Sequence, residues 1–198
     1  MMTQKGFIVL GIGKLGEIKM QMMDDIKEVL VSGEEIKEIC KKLGKQITED
    51  YKDKKLLLVG VLRGSVAFIA DLMKEIDLLL EIDFLAISTY HGTKSTGEVK
   101  WKKHLDTEVK DYDVLIVEDI VDSGFSLNEL TKILIDRGAK SVKTCTLLDK
   151  PDGRKVEFEA DYVGKKVPDA FVVGYGLDYN EKYRNLPFVG VLDPKVYS

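Results

Sequence analysis

Three carboxylates and a hydroxyl-rich turn share one short stretch, Val114 to Ser126, which reads VLIVEDIVDSGFS. An apolar run suited to a buried strand leads into Glu118 and Asp119, and Asp122, Ser123, Gly124 and Ser126 follow at the mouth of an amphipathic pattern. A glycine with hydroxyl neighbours at a helix start offers backbone amides and a partial positive charge to an anion, typically a phosphate. Three acids beside a phosphate repel it unless something stands between them. A phosphorylated sugar with bound Mg²⁺ meets both demands, its phosphate in the Ser/Gly turn and its hydroxyls and metal against the acids.

Such a site needs a scaffold that holds strand ends together. Helical spacing of Ile36, Ile39, Cys40, Leu43 and Ile47 predicts a helix over Ile26 to Tyr51. Leu56 to Leu62 is a continuous apolar run, and Arg63, Gly64 and Ser65 turn from it into a helical pattern at Val66 to Ile76. A strand at Ile82 to Thr89 precedes a polar, glycine-containing loop from Tyr90 to Val99. A strand at Val114 to Val117, a helix at Leu127 to Asp136 closed by Gly138, and a strand at Val142 to Leu148 complete the pattern. Strands alternating with helices predict an α/β fold with a central, mostly parallel sheet flanked by helices. Ligands of such sheets gather at the carboxyl ends of the strands, where Arg63, Glu118, Asp119 and Lys150 fall.

The bulk numbers narrow the partners. The chain has 198 residues with 44% hydrophobic and 32% charged side chains, an ordinary composition for a globular domain. A net charge of -4 argues against a nucleic-acid surface. No apolar run reaches membrane-span length, the start lacks a secretory pattern, and Cys40 and Cys145 have no metal-ligand spacing, so a reduced, cytoplasmic setting with both thiols in the core is expected. Gly11, Gly13 and Gly16 after Phe7 to Leu10 fit a dinucleotide fingerprint only superficially, because the second strand and its terminal acid are missing.

Four stretches in order resemble the type I phosphoribosyltransferases, and within them the bacterial hypoxanthine-guanine branch: VGVLRGS at Val59 to Ser65, FLAISTY at Phe84 to Tyr90, VLIVEDIVDSG, and FVVGYGLDYNEKYRNLP at Phe171 to Pro187. The resemblance spans about Asp24 to Tyr197. It implies a type I phosphoribosyltransferase domain over 23–198, with a small hood built from its N-terminal part and its C-terminal segment, and an arm over 1–22 outside it. It also implies a purine-salvage reaction: a purine base displaces pyrophosphate from Mg²⁺-bound phosphoribosyl pyrophosphate, giving IMP or GMP. A homodimer or homotetramer is expected, without nucleic acid or membrane. A nucleotide-sensing regulator on the same fold is the rival reading; a receiver domain fits less well, because its acidic pair belongs after the first strand.

The resemblance assigns roles position by position. Glu118 and Asp119 resemble the acids that hold the ribose hydroxyls, directly or through metal, and Asp178 the ligand of a second Mg²⁺. Asp122 resembles the acceptor of the purine N7 proton, although it also suits the N-cap of the next helix. Ser123, Gly124, Phe125 and Ser126 resemble the 5'-phosphate cradle. Leu62, Arg63 and Gly64 resemble the pyrophosphate loop, which in the family can hold a cis peptide, and Arg184 a pyrophosphate contact. Thr89 and Tyr90 resemble the mobile-loop pair. Lys150 resembles the donor to the purine 6-oxo group, Phe171 the ring that stacks on the base, Val172 the backbone reader of its edge, and Asp178 a further residue of the purine pocket. Lys150 could instead be a surface lysine, Phe171 a buried strand aromatic, and Asp178 and Arg184 partners of each other. Trp101, beside Lys100, Lys102, Lys103 and His104, suggests a ring packed on a neighbour or a second subunit.

Overall fold

This computed structural model describes residues 22–89 and 99–197. Two sheets form the frame. The larger has six strands in the order β4-β3-β2-β5-β6-β7, where β2 is Leu56–Val61, β3 Leu80–Thr89, β4 Val99–Lys103, β5 Asp113–Val121, β6 Ser141–Asp149 and β7 Tyr162–Lys166. All its pairings are parallel except β3 with β4. The smaller is a three-stranded antiparallel sheet of β1 (Ile26–Val31), β9 (Val189–Leu192) and β8 (Val172–Val173), joining the two ends of the described chain.

Every residue of β2 is buried, as expected of a central parallel strand covered on both faces. Its side chains alternate between two cores. Leu56 and Leu58 join α1 (Gly33–Asp50) and α2 (Val66–Leu72) on one face. Leu57, Val59 and Val61 meet α3 (Phe125–Asp136) on the other. This two-sided burial makes the sheet's carboxyl edge a rigid platform for loops.

Several boundaries depart from the sequence expectation. Ile26 to Val31 is a strand, not the first turns of a helix, because these residues pair with β9, Val31 opposite Val189 and Ile26 opposite Leu192. The helix starts only after Ser32, whose hydroxyl accepts from the Glu35 amide at 3.1 Å. β4, read in sequence only as a basic patch, is an edge strand of the large sheet. The arm before residue 22, with its glycine pattern, and the loop 90–98 lie outside the described residues. Cys40 and Cys145 are free and buried. Trp101 stacks on His104 at 4.8 Å between centroids and carries the Arg137 guanidinium 4.7 Å from its ring.

Candidate active site

β5 runs to Val121, so Glu118 and Asp119 belong to the strand and do not follow it as the apolar pattern suggested. The reason lies in pairing: Glu118 sits opposite Thr146, and Ile120 and Val121 opposite Leu148 and Asp149 of β6. Asp119 is buried, while Glu118 is half-buried on the wall of the cleft. The Asp119 carboxylate accepts from the Ile120 amide at 2.8 Å and lies against Gly64, where any Cβ would overlap it, so the close approach demands glycine. Burial lifts the Asp119 carboxyl to about 6, against the pull of the Ile120 amide and the Arg184 charge. Burial first, then the neighbouring Asp119 charge, pushes Glu118 well above the ordinary carboxylate range. Its Oε2 is buried without a hydrogen-bond partner. An orphaned hard oxygen beside a second carboxylate fits a divalent cation such as Mg²⁺. Among the described residues no three His, Cys, Asp or Glu side chains form a metal-holding group. Asp178 is thus not gathered with Glu118 and Asp119; it pairs with Arg184 at 2.8 Å, as its alternative reading had it.

Just beyond β5 the chain turns sharply. Gly124 caps α3 in the left-handed region at φ +78°, which favours glycine, and α3 begins at Phe125, two residues before the expected Leu127. Asp122 is therefore not the N-cap, and its carboxylate is left for other work. Ser123 Oγ accepts from the Phe125 amide at 3.4 Å. A cleft of about 390 Å³ opens here, lined by Leu62, Glu118, Asp122, Ser123, Gly124 and Ser126 among others. Arg154, which the sequence did not single out, clamps this turn: its guanidinium donates to the carbonyls of Val121, at 3.2 Å, and of Asp122, and pairs with Asp149. The Lys155 amide adds a bond to the Ser123 carbonyl at 3.0 Å.

Lys150 follows β6 and is only 7% exposed, so it is no surface lysine. Its ammonium stands 3.8 Å from Asp122 Oδ2 and 3.6 Å from Asp169 Oδ1. Phe171 is 41% exposed and not buried in a strand, with Tyr197 at 5.2 Å and Tyr179 edge-on at 5.7 Å. Val172 next to it is buried in β8.

Across the cleft, the Leu62–Arg63 peptide is cis, and the Leu62 amide donates to the Leu85 carbonyl at 2.8 Å. Arg63 reaches Glu181 at 2.7 Å, and Arg184 reaches the same Glu181 oxygen at 3.0 Å and the Gly176 carbonyl at 2.7 Å. These arginines border a second cavity of about 340 Å³. Thr89 ends β3 opposite Val99; Tyr90 lies outside the described residues.

Acids on one strand, a glycine-capped helix and a buried lysine thus converge at the carboxyl edge of one sheet, while the arginines border its neighbouring cavity. Comparison with known proteins decides what family this is: the phosphoribosyl transferase domain profile matches residues 28–180. The chain belongs to the phosphoribosyl transferase family. Hypoxanthine-guanine phosphoribosyltransferases of Staphylococcus aureus and Staphylococcus epidermidis are 54% and 56% identical to it over 178 residues, 89% of this chain and 99% of theirs. A crystal structure of a hypoxanthine phosphoribosyltransferase from Staphylococcus aureus superposes with a TM-score of 0.87 at 54% identity, covering 89% of this chain and 97% of that one. A hypoxanthine-guanine phosphoribosyltransferase from Bacillus anthracis follows the same fold with a TM-score of 0.79 at 42% identity, covering 85% and 98% of the two chains.

Proposed function

We propose that this phosphoribosyltransferase salvages purines, transferring 5-phosphoribosyl from phosphoribosyl pyrophosphate to hypoxanthine or guanine and releasing IMP or GMP with pyrophosphate. The observation that carries the reading is Asp122: it is free of the helix cap, lines the cleft beside the Gly124 turn, and faces the buried Lys150 ammonium at 3.8 Å. A sugar phosphate seated on that turn presents C1' toward Asp122. Lys150, donating to the 6-oxo group, turns the purine so that Asp122 accepts the N7 proton as N9 bonds to C1'. An adenine amino group in that place would leave the Lys150 donor unpaired, which disfavours adenine.

Ser123, Gly124, Phe125 and Ser126 are assigned to the 5'-phosphate, and Glu118 with Asp119 to the ribose hydroxyls. Phe171 stacks on the base, Val172 reads its edge through the backbone, and Leu62, Arg63, Gly64 and Arg184 take the pyrophosphate, with Thr89 at the end of β3 and Tyr90 after it as the pair that leads into the closing loop. Glu118 and Asp119 would hold one Mg²⁺, and Asp178, once released from Arg184, a second. When bound, Mg²⁺ neutralises charge that builds on the departing pyrophosphate. The protein's own share is positioning and electrostatics. The small sheet joining β1 to β8 and β9 serves as the hood. Assembly as a homodimer or homotetramer and a cytoplasmic setting, which suits two buried free thiols, complete the proposal; among the described residues no helix is long and apolar enough to cross a membrane.

The test is formation of IMP from phosphoribosyl pyrophosphate and hypoxanthine in the presence of Mg²⁺, followed by kcat/KM for hypoxanthine, guanine and xanthine. Binding of ribonucleotide without turnover of any purine would leave the nucleotide-sensing reading in its place.

A further inference from the structure

The cavity at the pyrophosphate loop is bordered by Leu62, Arg63, Ala86, Ile87, Glu181 and Arg184, and by Lys102, which no role has yet claimed. Charge bookkeeping makes Lys102 conspicuous. Arg63 is bound to Glu181, and Arg184 to Glu181 and Asp178, so two arginine charges already face two carboxylates. That quartet is neutral as it stands and offers an incoming polyanion little net attraction. Lys102, by contrast, has no hydrogen-bond or ion-pair partner among the described residues. Its neighbour Lys103 is fully engaged, by the Phe84 carbonyl at 2.8 Å, the His104 carbonyl at 3.0 Å and Asp106 at 3.0 Å.

Backbone register explains why Lys102 faces the cavity. Ala86 of β3 lies opposite Lys103 and Ile87 opposite Trp101, so Lys102 is the extra residue of a bulge in β4. A bulge bends the strand and re-aims a side chain, and bulges cluster at sheet edges and beside active sites. An edge-strand lysine can also serve simply to discourage strand pairing between molecules. Its place on the cavity wall separates the two roles, because a purely protective lysine has no need to border the space between Arg63 and Arg184.

We propose that Lys102 is a third cation of this pocket, the one that supplies its uncompensated positive charge and binds the diphosphate of phosphoribosyl pyrophosphate and of the released pyrophosphate. The inference rests on the transferase reading for its ligand, but not for its test. The polyanion then competes for Arg63 and Arg184 against Glu181, and Lys102 tips that competition. A compact ammonium on a flexible stem suits a ligand that must enter and leave within each turnover.

The experiment is isothermal titration of inorganic pyrophosphate with Mg²⁺ into the full chain, as wild type, Lys102→Met and Lys102→Arg. Lys102→Met keeps the apolar stem and removes the charge; a roughly tenfold rise in Kd is expected, with Lys102→Arg within about threefold of wild type. The salt dependence of pyrophosphate binding should shrink in Lys102→Met, and IMP affinity should change less than about twofold, a split that a general loss of folding would not produce. Pyrophosphate affinity in Lys102→Met equal to wild type, with an unchanged melting temperature, would overturn the proposal in favour of a solvated edge lysine. Wild type that binds pyrophosphate but makes no nucleotide would remove the transferase reading and leave Lys102 standing. Wild type that makes IMP while Lys102→Met keeps its KM for phosphoribosyl pyrophosphate would do the reverse.

Discussion

Asp83 on β3 and Asp119 on β5 flank the central strand β2 and are almost equally buried, at 8% and 7% exposure, yet they behave oppositely. Asp83 accepts from the amides of Phe84 at 2.6 Å and of Asp106 and Thr107, both at 2.8 Å, with Lys103 at 3.6 Å. Burial pushes its carboxyl up, but those donors outweigh burial and hold it below the ordinary range. Asp119 has the Ile120 amide and, beside it, Glu118 with an orphaned oxygen; here burial wins and both carboxyls rise. A satisfied buried acid is scaffold. Four other buried side-chain atoms among the described residues, an Asp113 oxygen included, also lack a hydrogen-bond partner, so an orphaned oxygen alone marks nothing. The Glu118 oxygen points to a ligand because Glu118 also lines the cleft beside a second carboxylate.

The strongest way to break this contrast is to remove the missing partner. Stripping divalent cations with a chelator should abolish nucleotide formation, and Mg²⁺ should restore it; activity that survives chelation would disconnect the orphaned oxygen from catalysis. Next in size is Asp122→Asn, expected to lower kcat by about 10² to 10⁴ with a smaller effect on KM, since a proton acceptor acts in the transition state. Steady-state kinetics that leave kcat intact would remove Asp122 from its role.

Asp83→Ala should strike stability alone. Leaving its amides without an acceptor costs about 3 kcal/mol, a Tm drop of roughly 6–12 °C for a domain of this size, with little change in turnover because Asp83 touches no part of the cleft. Calorimetry beside an activity assay checks both halves. The smallest effect is in pH. The depressed pKa of Asp83 contributes stability that is full above the unfolded value of ~3.9 and is lost as pH falls through the folded value. Asp119, raised to about 6, acts in the opposite sense. Metal-free protein should lose a little stability as pH climbs from ~4 toward that value, because the unfolded chain has already released the proton that the fold retains. Melting curves of Asp119→Asn without metal should make that decline shallower, with the raised Glu118 carboxyl supplying the remainder, and Asp83→Asn should flatten the acid limb.

Much of this site is legible in sequence because it is local. Glu118, Asp119, Asp122 and the Ser123 to Ser126 turn are contiguous, and strand-turn-helix punctuation places them at a sheet edge without further help. The fold class follows from alternating apolar periodicity for the same reason. What could not be read was set by distant partners: Ile26 to Val31 became a strand only because β9 lies beside it, and the Arg154 clamp depends on β5 and β6 ending side by side. Nor does any local pattern announce that Arg63 and Arg184 meet on a single Glu181 oxygen, more than a hundred positions from Arg63.

The amino-acid sequence by itself determined which groups are present and in what local order, hence an α/β sheet carrying acids and a phosphate-sized turn at its carboxyl edge. Tertiary structure alone decided their charge states and partners. Ionisation and ion pairing depend on burial and on distances across space, and here those are set by which strands lie side by side: Glu118 is orphaned, Asp178 engaged by Arg184, and Lys102 turned by a bulge toward the cavity.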